Sequence, residues 1–283
     1  MFLLICLSAA ESTHAAGSRS YALSVGKKDA KRLQAQHDFL REVSTAQLRR
    51  AGLRKGQIVC DMGCGVGVMT EYLAEIVGPE GRVYACDNSP EQLEEAKERI
   101  EKAGLHDRVT FLLCDACDAS CFTGLQRKFD LVYARFFLMH VRDPQQAITI
   151  MQSLLKPGGV VVSAEPSHRT MYFKPDAPVL REIIAKSIAF GKSIGADYNI
   201  GDRSSALCKN AGLQVVDSIV ESQLPFPIGF KNMQIWFPKA IAAGFITQKQ
   251  AEEWRKQIKK YQNQGGTLYG AKLTYLIAKK GSV

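Results

Sequence analysis

From residue 57 onward the chain alternates between short apolar runs and longer stretches in which apolar residues recur every three or four positions. The runs at 57–61, 82–86, 109–113, 130–134 and Val160-Val-Val-Ser-Ala read as strands. The stretches 68–77, 90–103 and 143–155 read as helices. Ser89 stands where an N-cap belongs, with Pro90 at the first helical position and Glu91 and Glu94 near the positive end of the dipole. Pro79-Glu-Gly81 and Lys156-Pro-Gly-Gly are turn signals. Five strands alternating with helices predict a parallel sheet covered on both faces. Ahead of it, 27–51 predicts one or two amphipathic helices with Leu33, Phe39, Leu40, Val43 and Leu48 inward. The last third predicts helices near 177–191 and 202–211, a strand at 214–220, helical stretches at 231–243 and 247–263, and a closing strand at 271–278.

Composition narrows this picture little. The 283 residues, 46% apolar and 23% charged, describe an ordinary globular protein. The net charge of +9 admits an anionic partner, but its densest groups, Lys27, Lys28, Lys31 and Arg32, then Arg49, Arg50, Arg54 and Lys55, read first as solvated helix faces. Eight cysteines in a chain this long are no disulfide scaffold. Cys60, Cys86 and Cys114 fall in or beside buried strands, which favours a reducing compartment and a cytoplasmic location. Cys114, Cys117 and Cys121 lack the second cluster or histidine that would complete a metal site, so no metal is expected. Residues 1–20 read as a leader-like or disordered extension, or as a start placed too far upstream. No segment approaches the roughly 20 apolar residues that span a bilayer.

The first strand runs into Asp61, followed by glycines at every second position, Gly63, Gly65 and Gly67, and then at once by a helix. Strand, glycine turn and helix bring bare backbone close to a nucleotide-like ligand at a helix N-terminus. A dinucleotide fingerprint would place its third glycine at 68, which is Val68. Asp-x-Gly-x-Gly-x-Gly instead resembles the first motif of class I S-adenosylmethionine (SAM)-dependent methyltransferases. Phe129-Asp-Leu-Val-Tyr-Ala-Arg-Phe-Phe-Leu-Met-His-Val and Lys156-Pro-Gly-Gly-Val resemble the small-molecule members related to ubiquinone- and menaquinone-biosynthesis enzymes, so the resemblance covers 55–165 well. It implies a Rossmann-like three-layer α/β sandwich: a seven-stranded, mostly parallel sheet with a reversed last strand, plus N-terminal helices. It also implies a methyltransferase domain over 21–283, with a SAM-binding core at 55–165. The family often joins its last two strands by a short turn, whereas this chain spends about 50 residues there, an insertion long enough to be functional. Segments 166–212 and 225–265 are therefore expected to form a helical lid over the substrate.

Ligands of open parallel sheets bind beyond the carboxyl ends of the strands. Asp61, Asp87 and Asp115 sit at three such ends. Asp87 can accept hydrogen bonds from both ribose hydroxyls of SAM, with Asn88 beside the adenine edge. Asp115 and Ala116 resemble the family's contact to the adenine amine. Gly63, Cys64 and Gly65 are expected to lend backbone N–H groups and room to the methionyl part, with Gly67 completing the turn and Asp61 facing the ammonium. Tyr21, in a Tyr-x-Leu-x-x-Gly context, resembles a cofactor-contacting tyrosine, and Arg135 lies where the methionine end meets the substrate. A general base is needed only where the acceptor must lose a proton. His140, His168, Glu165 and Tyr172 are the candidates, with His168 and His140 carried as catalytic and a structural role for His140 weighed beside it. The expected reaction is O- or N-methylation of a small molecule, releasing S-adenosylhomocysteine, by a monomer or homodimer. The Asn/Asp-Pro-Pro-Tyr/Phe signature of nucleic-acid methyltransferases and the paired glutamates of arginine methyltransferases are absent after the fourth strand, where Tyr133-Ala-Arg-Phe stands. A tRNA or protein acceptor, and a non-catalytic SAM sensor, stay open.

Overall fold

A computed structural model describes residues 27–282 apart from 222–223 and 227–228. Residues 1–20 and Tyr21 lie outside the described residues, and with them the expectations placed there. Helix α1 (Lys27–Arg50) precedes β1 (Ile58–Met62), α2 (Val68–Val77), β2 (Arg82–Asp87), α3 (Pro90–Lys102), β3 (Val109–Leu113), β4 (Phe129–Arg135), α4 (Pro144–Leu154) and β5 (Leu155–Ser167). The rest is β6 (Tyr172–Lys174), α5 (Pro178–Ser193), α6 (Ser204–Asn210), β7 (Gln214–Val220), α7 (Gly229–Asn232), α8 (Phe237–Ala242), α9 (Gln248–Asn263), β8 (Thr267–Tyr269) and β9 (Lys272–Lys279).

The large sheet has the order β3-β2-β1-β4-β5-β9-β7. Its first five strands run parallel, and β9 lies antiparallel between β5 and β7. The expected seven-stranded sheet with a reversed last strand is thus present. Chain order departs from spatial order beside β1, because β1 pairs with both β2 and β4. That switch point is where a crevice opens at the carboxyl ends.

Local chemistry sets the element ends. Ser89 Oγ accepts from the Gln92 N–H at 3.2 Å, and Asp143 caps α4 through the Gln146 N–H at 2.9 Å. Lys156–Gly159 does not leave the sheet as the expected turn. It forms a bulge within β5, so that Phe129 faces Leu155 while Leu131 faces Val160. Gly158, at φ +77°, donates its N–H to the Lys280 carbonyl and ties the bulge to the end of β9. The N-terminal segment is one helix, anchored where the buried Gln47 amide donates to the Ser163 and Leu276 carbonyls at 2.8 and 3.2 Å.

Apolar side chains fill both faces of the sheet. A further core is built outside it, from Phe190 of α5, Trp236, Phe237 of α8 and Trp254 and Tyr261 of α9. The stretch 231–243 is two short helices, α7 and α8, rather than one. A two-stranded β6–β8 ribbon, closed by stacked Tyr172 and Tyr269 rings 4.5 Å apart, adds to the elements that the sequence pattern predicts.

Candidate functional site

The glycine turn leaves β1 and enters α2 with Gly63, Gly65 and Gly67 all at positive φ, +73°, +55° and +77°. Two of them are closed to any side chain. A Cβ on Gly63 would lie 2.3 Å from the Phe137 ring, and one on Gly67 would lie 3.0 Å from the Ala96 Cα. A Cβ on Gly65 would meet only Leu33, at 3.8 Å, and would point into open space. Gly65 lines a cavity of about 1200 Å³ at the carboxyl ends of the strands. The expected backbone donors do not point there. The Gly63 and Cys64 N–H groups both donate to the Cys86 carbonyl, at 2.8 and 2.9 Å, and the Gly65 N–H donates to Asp87 at 2.9 Å. The end of β2 lies beneath the turn and takes all three, so what the turn offers is the bare space at Gly65 rather than donors.

Asp61, Asp87, Asn88, Asp115, Ala116 and Arg135 all line this cavity. Asp61 is 3% exposed and accepts from the Thr70 hydroxyl at 2.6 Å. Burial raises its carboxyl to about 6, against the pull of Thr70 and of the Arg135 guanidinium. Asp87 holds the Gly65 N–H on one oxygen and the Ser89 N–H, at 3.0 Å, on the other. Burial raises it too, opposed by those backbone donors. Asp115 accepts from the Cys117 N–H at 2.8 Å. Arg135 donates to Ser44 of α1 at 3.3 Å, so α1 covers the methionine-side end expected from the sequence.

The far end of the cavity is lined by His140, His168, Tyr198, Met171, Ile184 and Trp236, with Phe226 and Met233 nearby. Burial lowers the His140 imidazole to about 3, helped by the positive charge of Arg32 and the neighbouring His168, and lowers His168 to about 4. Two other candidate bases lie elsewhere. Tyr172 does not line the cavity but stacks on Tyr269, with the Lys174 ammonium 5.2 Å from the Tyr269 ring centre. Glu165 is fully buried and accepts from the Phe137 and Leu138 N–H groups at 3.0 and 2.8 Å. It thereby ties the loop after β4 to β5. Among the described residues no group of three or more histidine, cysteine or acidic side chains is placed to hold a metal ion. Cys60 and Cys86 instead meet sulfur to sulfur at 3.6 Å, and Cys117 reaches the Asp143 carbonyl at 3.4 Å.

The sequence profile of a family described as a methyltransferase domain matches residues 53–266, three quarters of the chain. The chain belongs to this methyltransferase family. This membership agrees with the resemblance of the sequence motifs to class I SAM-dependent methyltransferases. A demethylmenaquinone methyltransferase of Geobacillus stearothermophilus is 32% identical over 149 residues, which are 50% of this chain and 62% of that protein. A ubiquinone/menaquinone biosynthesis C-methyltransferase, UbiE, of Francisella tularensis is 26% identical over 193 residues, 66% of this chain and 72% of that one. The [4+2]-cyclase SpnF shares the fold at a TM-score of 0.57 and 18% identity, over 86% of this chain and 81% of its own. The matched part is thus just under two thirds of the first relative's length.

Several cavity residues of this methyltransferase carry no sequence signal. Arg32, Leu33, Gln36 and Phe39 reach the cavity from the face of α1 that an amphipathic reading assigns to the core. Tyr198 follows a loop without a motif. The two histidines allow a direct check. In an NMR titration both imidazoles are expected to stay in the neutral form from pH 8 to pH 5, because their basicity is held near 3 and 4. A midpoint above 6 for either would show that water reaches it freely.

Proposed function

We propose that this protein transfers a methyl group from SAM to a small, largely apolar molecule held beneath the cover formed by 166–212 and 225–265. The observation that carries this reading is one continuous cavity reaching from the Gly65–Asp87 turn to His168 and Trp236. Its volume, about 1200 Å³, exceeds the roughly 300–1000 Å³ of a site for one small molecule, which leaves room for a donor and an acceptor together. The strand-end carboxylates and the open space at Gly65 fit SAM: Asp87 for the ribose hydroxyls, Asn88, Asp115 and Ala116 for the adenine, Asp61 and Arg135 for the zwitterionic tail. When bound, SAM supplies an activated methyl on a sulfonium centre.

The chain's own task is then to aim the acceptor atom at that methyl and exclude water, since alignment alone supplies a large part of the acceleration. The apolar walls from Met171, Ile184, Phe226 and Met233 do this. His140 and His168 are neutral groups able to receive a proton, yet weakly basic, so positioning outweighs base catalysis here. The relatives named for menaquinone and ubiquinone biosynthesis support a small-molecule acceptor, and the C-methyltransferase among them extends the expected oxygen or nitrogen nucleophile to carbon. The buried thiols Cys60, Cys86 and Cys114 suit a reducing, cytoplasmic setting. No helix among the described residues is long and apolar enough to cross a membrane.

Calorimetry tests the first half of this reading. SAM and S-adenosylhomocysteine are expected to bind in the micromolar range and NAD not at all, and the reverse order would overturn it. Transfer of labelled methyl to lipophilic hydroxylated aromatics tests the second half. Binding without transfer to any metabolite extract would favour the sensor.

A further inference from the structure

We propose that Tyr198, with His168 beside it, is the polar anchor of the acceptor end and selects uncharged molecules carrying a hydroxyl or carbonyl oxygen. This rests on the reading that the far end of the cavity receives the acceptor. Tyr198 is 6% exposed and lines that end, yet its hydroxyl makes no hydrogen bond among the described residues. The ring nitrogens of His168 likewise have no partner among them. The two rings lie 5.1 Å apart, centre to centre, and His140 meets Tyr198 edge-on at 6.0 Å. The ring is buried while the hydroxyl stands at the cavity wall with its donor and acceptor capacity unused by the described residues, which points to a ligand oxygen as its partner.

The position of the phenol is built, not incidental. The His168 N–H donates to the Tyr198 carbonyl at 2.9 Å, and the Asp197 N–H donates to the Met139 carbonyl at 2.9 Å. The Asn199 side chain accepts from the Arg169 N–H at 2.9 Å, and Arg203 pairs with Asp197. The loop bearing Tyr198 is thereby fastened to the segments that follow β4 and β5. Within α5, Gly191 occupies a helical position where alanine would be favoured by about 1 kcal/mol. A Cβ there would fall 2.7 Å from the Tyr198 ring. The helix gives up that preference to seat the phenol.

Neutral chemistry follows from the setting. Burial keeps the Tyr198 phenol protonated, at about 12, and both imidazoles uncharged near neutral pH. A phenol and a neutral imidazole together present one firm donor and one firm acceptor, which suits a hydroxyl or carbonyl on an apolar body.

The test uses the full chain saturated with S-adenosylhomocysteine and three probes, 1-naphthol, naphthalene and 1-naphthoate. The wild type is expected to bind 1-naphthol roughly 5- to 10-fold more tightly than naphthalene, the worth of one to two net hydrogen bonds. Tyr198→Phe, which keeps the ring, should reduce that preference to about 2-fold or less while leaving naphthalene binding unchanged. His168→Leu should also reduce it. An unchanged preference in Tyr198→Phe, no preference in the wild type, or tighter binding of 1-naphthoate would each overturn the anchor. S-adenosylhomocysteine binding measured on the same samples reports separately on the methyltransferase reading. Its loss in the wild type would count against that reading and not against Tyr198.

Discussion

Asp87→Ala is expected to weaken S-adenosylhomocysteine binding by roughly 100-fold or more, the largest effect of any single change at the donor end. The carboxylate stands at the end of β2, held by one backbone donor on each oxygen, the Gly65 and Ser89 N–H groups. These two bonds fix its plane against the glycine turn, and its acceptor capacity exceeds them. A hydrogen bond to a charged group contributes about 1.5–3 kcal/mol, so two ribose hydroxyls on one carboxylate account for a factor of about 100 and upward. The same substitution strips the Gly65 N–H of its acceptor inside the turn, so the ligand-free protein should also melt earlier. Asp87→Asn separates the two effects, because the amide oxygen can still hold one backbone donor while the charge is gone. Calorimetry of both variants decides the matter. A change below 3-fold in Asp87→Ala would remove Asp87 from the proposed ribose contact.

The parallel strands were legible because each carries a short, largely apolar run, and the first two of these runs close on an acid, Asp61 and Asp87. The reversed last strand came from family resemblance, since nothing in the residues 271–278 distinguishes parallel from antiparallel pairing. The ribbon of Tyr172–Lys174 with Thr267–Tyr269 escaped notice because three residues carry no period. The break between α7 and α8 escaped it because Met233 and Trp236 keep the apolar spacing of a helix through the turn. At the site, the acids were legible as strand-end residues, but the destination of the glycine N–H groups was not. That depends on the Cys86 carbonyl lying under the turn, a contact between strands. Glu165 reads as a strand-end acid like the others, yet it points into the protein, and only its hydrogen-bond partners reveal this.

Glu165→Ala and Glu165→Gln are expected to part company sharply. Phe136 follows β4 at φ +51°, a left-handed backbone uncommon for an aromatic residue, and the next two N–H groups are captured by one oxygen of Glu165. The other oxygen is buried without a partner. This clamp sets Phe137, whose ring packs against Gly63, so the acid supports the glycine turn from behind. Truncation to alanine leaves two buried donors unsatisfied and a cavity behind a strained loop, at a cost of about 3–5 kcal/mol. Glutamine keeps an acceptor oxygen for both N–H groups and should retain fold and cofactor binding. It should also change the pH response. Burial lifts the Glu165 carboxyl from its ordinary 4.5 to about 8, against the pull of the N–H groups of 137 to 139. The folded chain therefore binds this proton more tightly than the unfolded chain does. Stability contributed below pH 4.5 is lost as the pH rises to 8, by up to about 5 kcal/mol. Glutamine has no such proton, and every other titrating group is common to both proteins. In urea denaturation the stability of wild type relative to Glu165→Gln should accordingly fall between pH 5 and pH 8. Parallel curves would show that the carboxyl is ionised in the fold and that the clamp is charged.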